Sequence, residues 1–178
     1  CVAVKQVFGC GTASLTLEDL ASADLAFFIG ANPASNHPRL ITQLVELRRR
    51  GGTVIVVNPL KELGLVRFRV PSLPLSMIFG SRISDLYLQP KIGGDIALLK
   101  ALLKGVLEQE GQETGFVQDH TTGFDEVRDD LQQCDWGTLV TECGVPRQQV
   151  DAAVSALLGA KRGIALWAMG LTHHVHGV

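Results

Sequence analysis

The sequence predicts an α/β fold, three layers deep, around a mostly parallel sheet. Three observations carry that expectation. Apolar runs of strand length occur at 25–29, 54–57, 86–88 and 164–168. The first is continuously apolar, as a strand buried on both faces is. Segments at 38–50, 95–110 and 147–160 carry apolar residues at helical spacing between those runs. Each run is followed by glycine- or amide-bearing residues: Gly30-Ala31-Asn32, Asn58-Pro59, Gly93-Gly94-Asp95, and Gly170-Leu171-Thr172-His173. Ligands of open parallel sheets bind just beyond the carboxyl ends of the strands. A Rossmann-like domain with one nucleotide-like ligand held by several loops is therefore the expectation.

Taken in order, Thr16-Leu17-Glu18-Asp19 opens a helix, with a hydroxyl acceptor followed by acids in the first turn. After the first strand, Pro38 suits the first turn of a helix, where no amide donor is needed. Leu40, Ile41, Leu44, Val45 and Leu47 form its apolar face, and Gly51-Gly52 stops it. With the next strand this makes a β-α-β unit, whose crossover is expected to be right-handed. Residues 60–84 sustain no period and contain Gly64, Pro71, Pro74 and Gly80. They read as a long loop exposing Leu73, Leu75, Met77, Ile78 and Phe79. Structureless loops of that length are uncommon unless functional or covered, so 60–84 is expected to contact domains outside this chain. After the short strand at 86–88, Asp95 is the expected N-cap of a strong helix carrying Leu98, Leu99, Leu102, Leu103 and Val106. Short helices are expected near 114–120, 124–133 and 136–143, before the last helix and strand.

The 178 residues suffice for one sizeable core and are read as one domain over 1–178. A formal net charge of −2 argues against a nucleic-acid surface as the main business. The basic run Arg48-Arg49-Arg50 ends a helix, where cations complement the dipole. No apolar run reaches the roughly 18 residues of a membrane span, and no signal peptide is visible, so a cytoplasmic location is the expectation. The chain begins at Cys1 and ends at Val178, and both ends look cut from something longer. Cys1, Cys10, Cys134 and Cys143 lack the close pairing of zinc or iron–sulfur sites.

Each candidate motif also has a plainer reading. Gly30 lets backbone approach a ligand, and Asn32 offers donor and acceptor, yet the pair also suits a turn. No G-x-G-x-x-G fingerprint is present. Asn58-Pro59 sits where many nucleotide folds place a ribose-binding acid, and equally initiates a turn. Asp95 fits a helix cap or the two donors of guanine. His37 touches ligand or merely precedes Pro38. His173, His174 and His176 invite a metal reading, although no acid or cysteine lies near in sequence. No arranged nucleophile and base is visible.

The combination is more specific than its parts. In order, the chain carries Gly-Ala-Asn-Pro-Ala-Ser-Asn-His-Pro-Arg at 30–39, Val-Ile-Val-Val-Asn-Pro at 54–59, Gly-Gly-Asp-Ile-Ala-Leu at 93–98, His-Thr-Thr-Gly-Phe at 120–124, Trp136, Cys-Gly-Val at 143–145, and Trp-Ala-Met-Gly-Leu-Thr-His-His at 167–174. This resembles the molybdopterin oxidoreductase family, and within it the formate-dehydrogenase-like alpha subunits, over nearly the whole chain.

The resemblance implies the middle domain of formate dehydrogenase and dimethyl sulfoxide reductase relatives, which carries one guanine-dinucleotide arm of a bis-molybdopterin cofactor with molybdenum. It implies cofactor contacts at Gly30, Asn32, His37, Asn58, Pro59, Gly170, Leu171, Thr172 and His173, with Gly94 and Asp95 recognising guanine. Asn58 stands where relatives often carry Asp. Leu60 and Lys61 follow Pro59 where an Arg is common, and His173 replaces a frequent glutamine. The family's 4Fe-4S cysteines and its molybdenum ligand lie upstream, so no catalytic residue is expected in this segment. The parent protein would act on a small-molecule substrate with a redox partner, and this segment would pack against the remaining domains of the same subunit. Two other readings stand beside this one: a non-catalytic nucleotide-binding module, and a metal site on the histidine cluster.

Overall fold

The computed structural model describes residues 5–7, 9–10 and 13–174. It divides into two compact units, one of residues up to Gln89 together with those from Ala160, the other of Pro90–Gly159.

The first unit is built on β1 (Leu25–Ile29), β2 (Thr53–Val57), β3 (Arg67–Phe68), β4 (Ser81–Arg82), β5 (Leu86–Leu88) and β6 (Gly163–Trp167). Four of them form one parallel sheet in the order β5-β2-β1-β6. All five residues of β1 are buried, as its unbroken apolar sequence predicts. Alternation along the strands puts Ala26 and Phe28 of β1 and Val54 and Val56 of β2 in one cluster. Ile41, Leu44, Val45 and Leu47 of the helix Pro38–Arg49 join that cluster, as does Leu20 of the helix Leu17–Ser22. Ile41, Leu44 and Val45 stand at the i, i+3, i+4 positions of a helix face. Leu44 is fully buried, so Leu44→Ala costs about 2–5 kcal/mol.

Local signals set the helix ends. Thr16 accepts from the Asp19 amide while Asp19 accepts from the Thr16 amide, a reciprocal cap. Pro38 is the first residue of its helix. At its other end Gly51 (φ 88°) donates to the Arg48 carbonyl and Gly52 to the Leu47 carbonyl, a Schellman stop. Arg48 does more than complement the helix dipole. Its Nε reaches both oxygens of Asp85 at 3.0 and 2.9 Å, and its Nη2 reaches Oδ1 at 2.6 Å. Asp85 also accepts from the Val54 amide at 3.0 Å, tying the starts of β2 and β5 to the helix. On the same edge the Asp24 carboxylate accepts from the amides of Lys161 and Arg162, both at 2.9 Å, where β6 begins.

Residues 60–84 are not the structureless loop expected. They contain the short helices Leu63–Val66 and Pro74–Phe79 and the antiparallel ladder of β3 with β4. The buried Ser76 hydroxyl accepts from the Val70 amide at 3.1 Å, donates to the Phe68 carbonyl at 3.3 Å and accepts from the Ser81 hydroxyl at 2.8 Å. Elements of two to six residues leave no sequence period, and this hub of side-chain bonds holds them instead. Several apolar side chains of the stretch remain exposed, among them Leu75, Met77, Ile78 and Phe79.

The second unit is helical: Asp95–Glu108, Thr114–His120, Phe124–Gln133, Trp136–Cys143 and Arg147–Gly159. The first packs against the last two. Gly105 permits the approach of the last helix, since a Cβ there would lie 2.7 Å from a Val154 methyl. Trp136 donates to Glu108 at 2.9 Å, and the Arg147 guanidinium stacks 3.4 Å above its ring. The chain reverses at left-handed Gly123 and Gly144. Among the described residues, no helix is long and apolar enough to cross a membrane, and Cys134 and Cys143 are free thiols.

Candidate functional site

Because the four main strands are parallel, their carboxyl ends share one edge. The order β5-β2-β1-β6 runs outward from β1 through β2 to β5, then returns to the other side of β1. The direction of winding therefore changes between β1 and β6, which is where open parallel sheets leave a ligand crevice.

Backbone bonds carry the sheet one step past its ends. Gly30 donates to the Val57 carbonyl at 2.9 Å, Asn58 to Leu88 at 3.0 Å, Ala168 to Ile29 at 3.2 Å, and Gly170 to Gly30 at 3.0 Å. At the switch point the two glycines meet backbone to backbone. A Cβ on Gly30 would lie 2.8 Å from the Gly170 carbonyl carbon, and one on Gly170 would lie 2.5 Å from the Gly30 oxygen. Gly30 is also left-handed, with φ 60°.

Asn32 follows on this edge and precedes a short helix, Pro33–Asn36. Its side chain does not cap that helix, and its Oδ1 is buried without a hydrogen-bond partner. Buried polar atoms are nearly always bonded, so an orphan asks for an explanation such as a ligand. His37 is exposed, with Nδ1 2.9 Å from Asn36 Oδ1, and does not reach the other candidates.

The loop after β2 is held firmly. Asn58 Oδ1 accepts from the Leu60 amide at 2.9 Å, and the exposed Pro59 accepts through its carbonyl from Gln89 Nε2 at 3.2 Å. The Tyr87 hydroxyl donates to the Leu60 carbonyl at 2.6 Å and accepts from the Glu62 amide at 3.0 Å. Burial pushes the Tyr87 hydroxyl above its ordinary pKa; the Glu62 amide works against this and the Glu62 charge adds to it. Sequence reasoning missed Tyr87 and Gln89. The available signal is their i, i+2 spacing, which puts both side chains on one face of a strand.

After β6, Gly170, Leu171 and Thr172 lie in the short helix Met169–Thr172, with His173 as its exposed C-cap. This replaces the open loop expected there. Gly30, Asn32, Asn58, Pro59 and Gly170–His173 thus share the carboxyl edge of one sheet.

Gly94 and Asp95 belong to the second unit. Asp95 is not the N-cap expected: Gly94 holds that position and Asp95 is the first helical residue, buried to 9 % exposure. Packing decides this. A Cβ on Gly94 would lie 2.9 Å from the Cys143 Cα, and the preceding Gly93 is left-handed at φ 86°. The tight turn is made by the glycines, and Asp95 complements the helix dipole from its first turn. Gly93 and Gly94 border a cleft of about 740 Å³, lined also by Ile96, Lys100, Thr138 and Glu142; Asp95 is not on its wall. Of the histidine cluster, His176 lies outside the described residues. Among those described, no group of three His, Cys, Asp or Glu is placed to hold a metal.

No family model matches the chain. It is 36 % identical to Protein YdeP of Escherichia coli over 188 residues, covering 99 % of this chain and 25 % of YdeP. It is 29 % identical to formate dehydrogenase H of the same species over 175 residues, covering 98 % of this chain and 22 % of that enzyme. This chain is a molybdopterin oxidoreductase homologue. Like the fold of the sheet unit, that agrees with the motifs on which the resemblance rests. Acetylene hydratase from Pelobacter acetylenicus shares the fold, with a TM-score of 0.67 at 17 % identity over 85 % of this chain and 19 % of that one. The chain spans about a quarter of the length of the curated relatives it matches.

Proposed function

We propose that this chain is the segment of a molybdenum-dependent oxidoreductase that holds one guanine-dinucleotide arm of a bis-molybdopterin cofactor. The observation that carries the reading is the buried, unpartnered Asn32 Oδ1 beside the Gly30–Gly170 crossing at the switch point. The residues present fit such a group. The two glycines let the loops after β1 and β6 meet backbone to backbone at the switch point, and Asn32 offers beside them an acceptor that no protein group satisfies. Gly30, Asn32, Asn58, Pro59, Gly170, Leu171, Thr172 and His173 would bind and orient the dinucleotide, with exposed His37 available beside them. Asp95, with Gly94, is assigned to guanine by resemblance, since a carboxylate accepts from guanine's two donors and adenine offers no such pair.

When bound, the cofactor supplies two-electron redox chemistry toward a small substrate, formate by analogy with relatives that carry that name. The residues of this chain hold and position it. The metal ligand, a 4Fe-4S cluster and the contacts to a redox partner belong to the rest of a longer, cytoplasmic protein, and the chain alone is inactive. The exposed apolar residues of 60–84 face its other domains.

Calorimetric titration with GDP and ADP, on wild type and Asp95→Asn, tests the reading. Selective GDP binding that weakens in the variant supports it. Preference for ADP would sink the guanine assignment in favour of a free adenine-nucleotide module.

A further inference from the structure

We infer that Asn58 serves its ligand as a hydrogen-bond donor to a phosphate oxygen, not as an acceptor for ribose hydroxyls. The inference rests on the nucleotide-site reading above and assigns a chemistry to one position of it.

The amide of Asn58 is oriented by its own loop. The Leu60 N–H donates to Asn58 Oδ1 at 2.9 Å. A backbone N–H only donates, so the oxygen branch faces Leu60 and the NH2 branch, with two donors, faces away. Turning the amide over would set two donors against each other. The loop cannot easily shift to relieve that. Asn58 is fixed by its own amide on the Leu88 carbonyl at 3.0 Å, Pro59 by Gln89, and Leu60 and Glu62 by the Tyr87 hydroxyl. The donor pair is therefore preformed.

The consequence lies in what the ligand must offer. An acid at the end of the second strand of a nucleotide fold accepts from ribose hydroxyls, and its charge repels phosphate. Asn58 is neutral, and one lone pair of its oxygen is engaged within the loop, which turns that oxygen toward Leu60. The group it presents away from the loop is an N–H donor without negative charge. A phosphate oxygen only accepts, and it complements that donor directly.

Nitrogen-15 NMR of the full 178-residue chain tests this. The Asn58 NH2 pair is identified as the one missing from Asn58→Asp, a variant that keeps an oxygen for the Leu60 amide. Wild type is titrated with pyrophosphate, GDP and guanosine. The expected result is that the Asn58 NH2 signals move with pyrophosphate and GDP but not with guanosine. Asn58→Asp should lose GDP affinity by about tenfold or more, as loss of a charge-assisted bond implies, with guanosine unchanged. Movement with guanosine, or tighter GDP binding by Asn58→Asp, overturns the inference. So does a still Asn58 while the Gly30 and Gly170 amides move with GDP; that outcome leaves the nucleotide site standing. If neither those glycines nor Asn58 respond to any probe, the nucleotide-site reading falls and the inference falls with it.

Discussion

Gly30 and Gly170 cross at the switch point with the Gly170 amide donating to the Gly30 carbonyl at 3.0 Å, and neither has room for a Cβ. The contact joins the end of β1 to the segment after β6, which are 140 residues apart by their numbers. On Gly170, an added methyl would press on backbone oxygen, which cannot rotate aside as a side-chain tip can. Gly170→Ala should therefore destabilise the chain by about 1–3 kcal/mol, with the melting temperature falling roughly 2–4 °C for each kcal/mol. Gly30→Ala should cost more, because its φ of 60° adds left-handed strain. Thermal unfolding of both variants checks this. A Gly170→Ala chain that melts with wild type would mean the two loops do not meet as described.

The Asp85–Arg48 pair makes acid stability predictable in sign. Burial raises the Asp85 pKa, but the Arg48 hydrogen bonds, the Val54 amide and the nearby arginine charges outweigh it, and the net shift is downward. A carboxyl depressed in the folded state contributes stability that is full above its unfolded value of about 3.9. That stability is lost as pH falls through the depressed folded value. Asp24, held low by the Arg162 and Lys161 amides, shifts in the same direction. The side chains of Arg48 and Asp85 are 22 % and 28 % exposed, so solvent screening is partial. Asp85→Asn should cost about 1.5–3 kcal/mol near neutrality, the range for hydrogen bonds to charged groups. Urea midpoints measured from pH 7 down to 2.5 should show wild type and variant converging below about pH 4. A difference that stays constant across that range would remove the charge from the explanation.

Much of the fold was legible because it is written locally. The five apolar residues of β1 announce a strand buried on both faces, and Thr16 with Asp19 announces a reciprocal cap. The helices beginning at Pro38, Thr114, Phe124, Trp136 and Arg147 start where the sequence leads one to expect them. What was not legible depends on contacts that leave no sequence period. The Ser76 hydroxyl ties together Val70, Phe68 and Ser81, five to eight residues away, and no periodic pattern announces such bonds, so 60–84 reads as loop. Asp95 reads as a cap because the contact that moves the turn to Gly94 comes from Cys143. At the site, Gly30, Asn32 and Asn58 stand out by residue type and by their place after strands. The orphaned acceptor, the glycine crossing and the Tyr87 clamp are properties of packing.

Asn32 should behave unlike a structural asparagine. A buried acceptor without a partner costs about 1–3 kcal/mol of desolvation, and Asn32 Oδ1 makes no bond that would offset it. Asn32→Ala should therefore leave the melting temperature unchanged or higher, while weakening GDP binding. Calorimetry and thermal unfolding on the same preparation separate the two effects. A marked loss of stability with GDP affinity intact would show that Asn32 supports the loop and does not serve a ligand.

The exposed apolar face of Pro74–Phe79 sets a last expectation. Leu75, Ile78 and Phe79 stand at i, i+3 and i+4 and are 68 %, 64 % and 70 % exposed. Large apolar side chains grouped on one exposed face mark surfaces that are covered by a partner or that associate. In the isolated chain these residues meet only water, so self-association rising with concentration is expected, measured by sedimentation velocity. The double variant Ile78→Lys, Phe79→Lys should reduce it, because burying an ammonium against another apolar face is costly. Its melting temperature should barely move, since exposed substitutions usually stay within about 0.5 kcal/mol. A wild-type chain that stays monomeric at every concentration would refute a sticky face. A variant that unfolds would show instead that these side chains support the hub around Ser76.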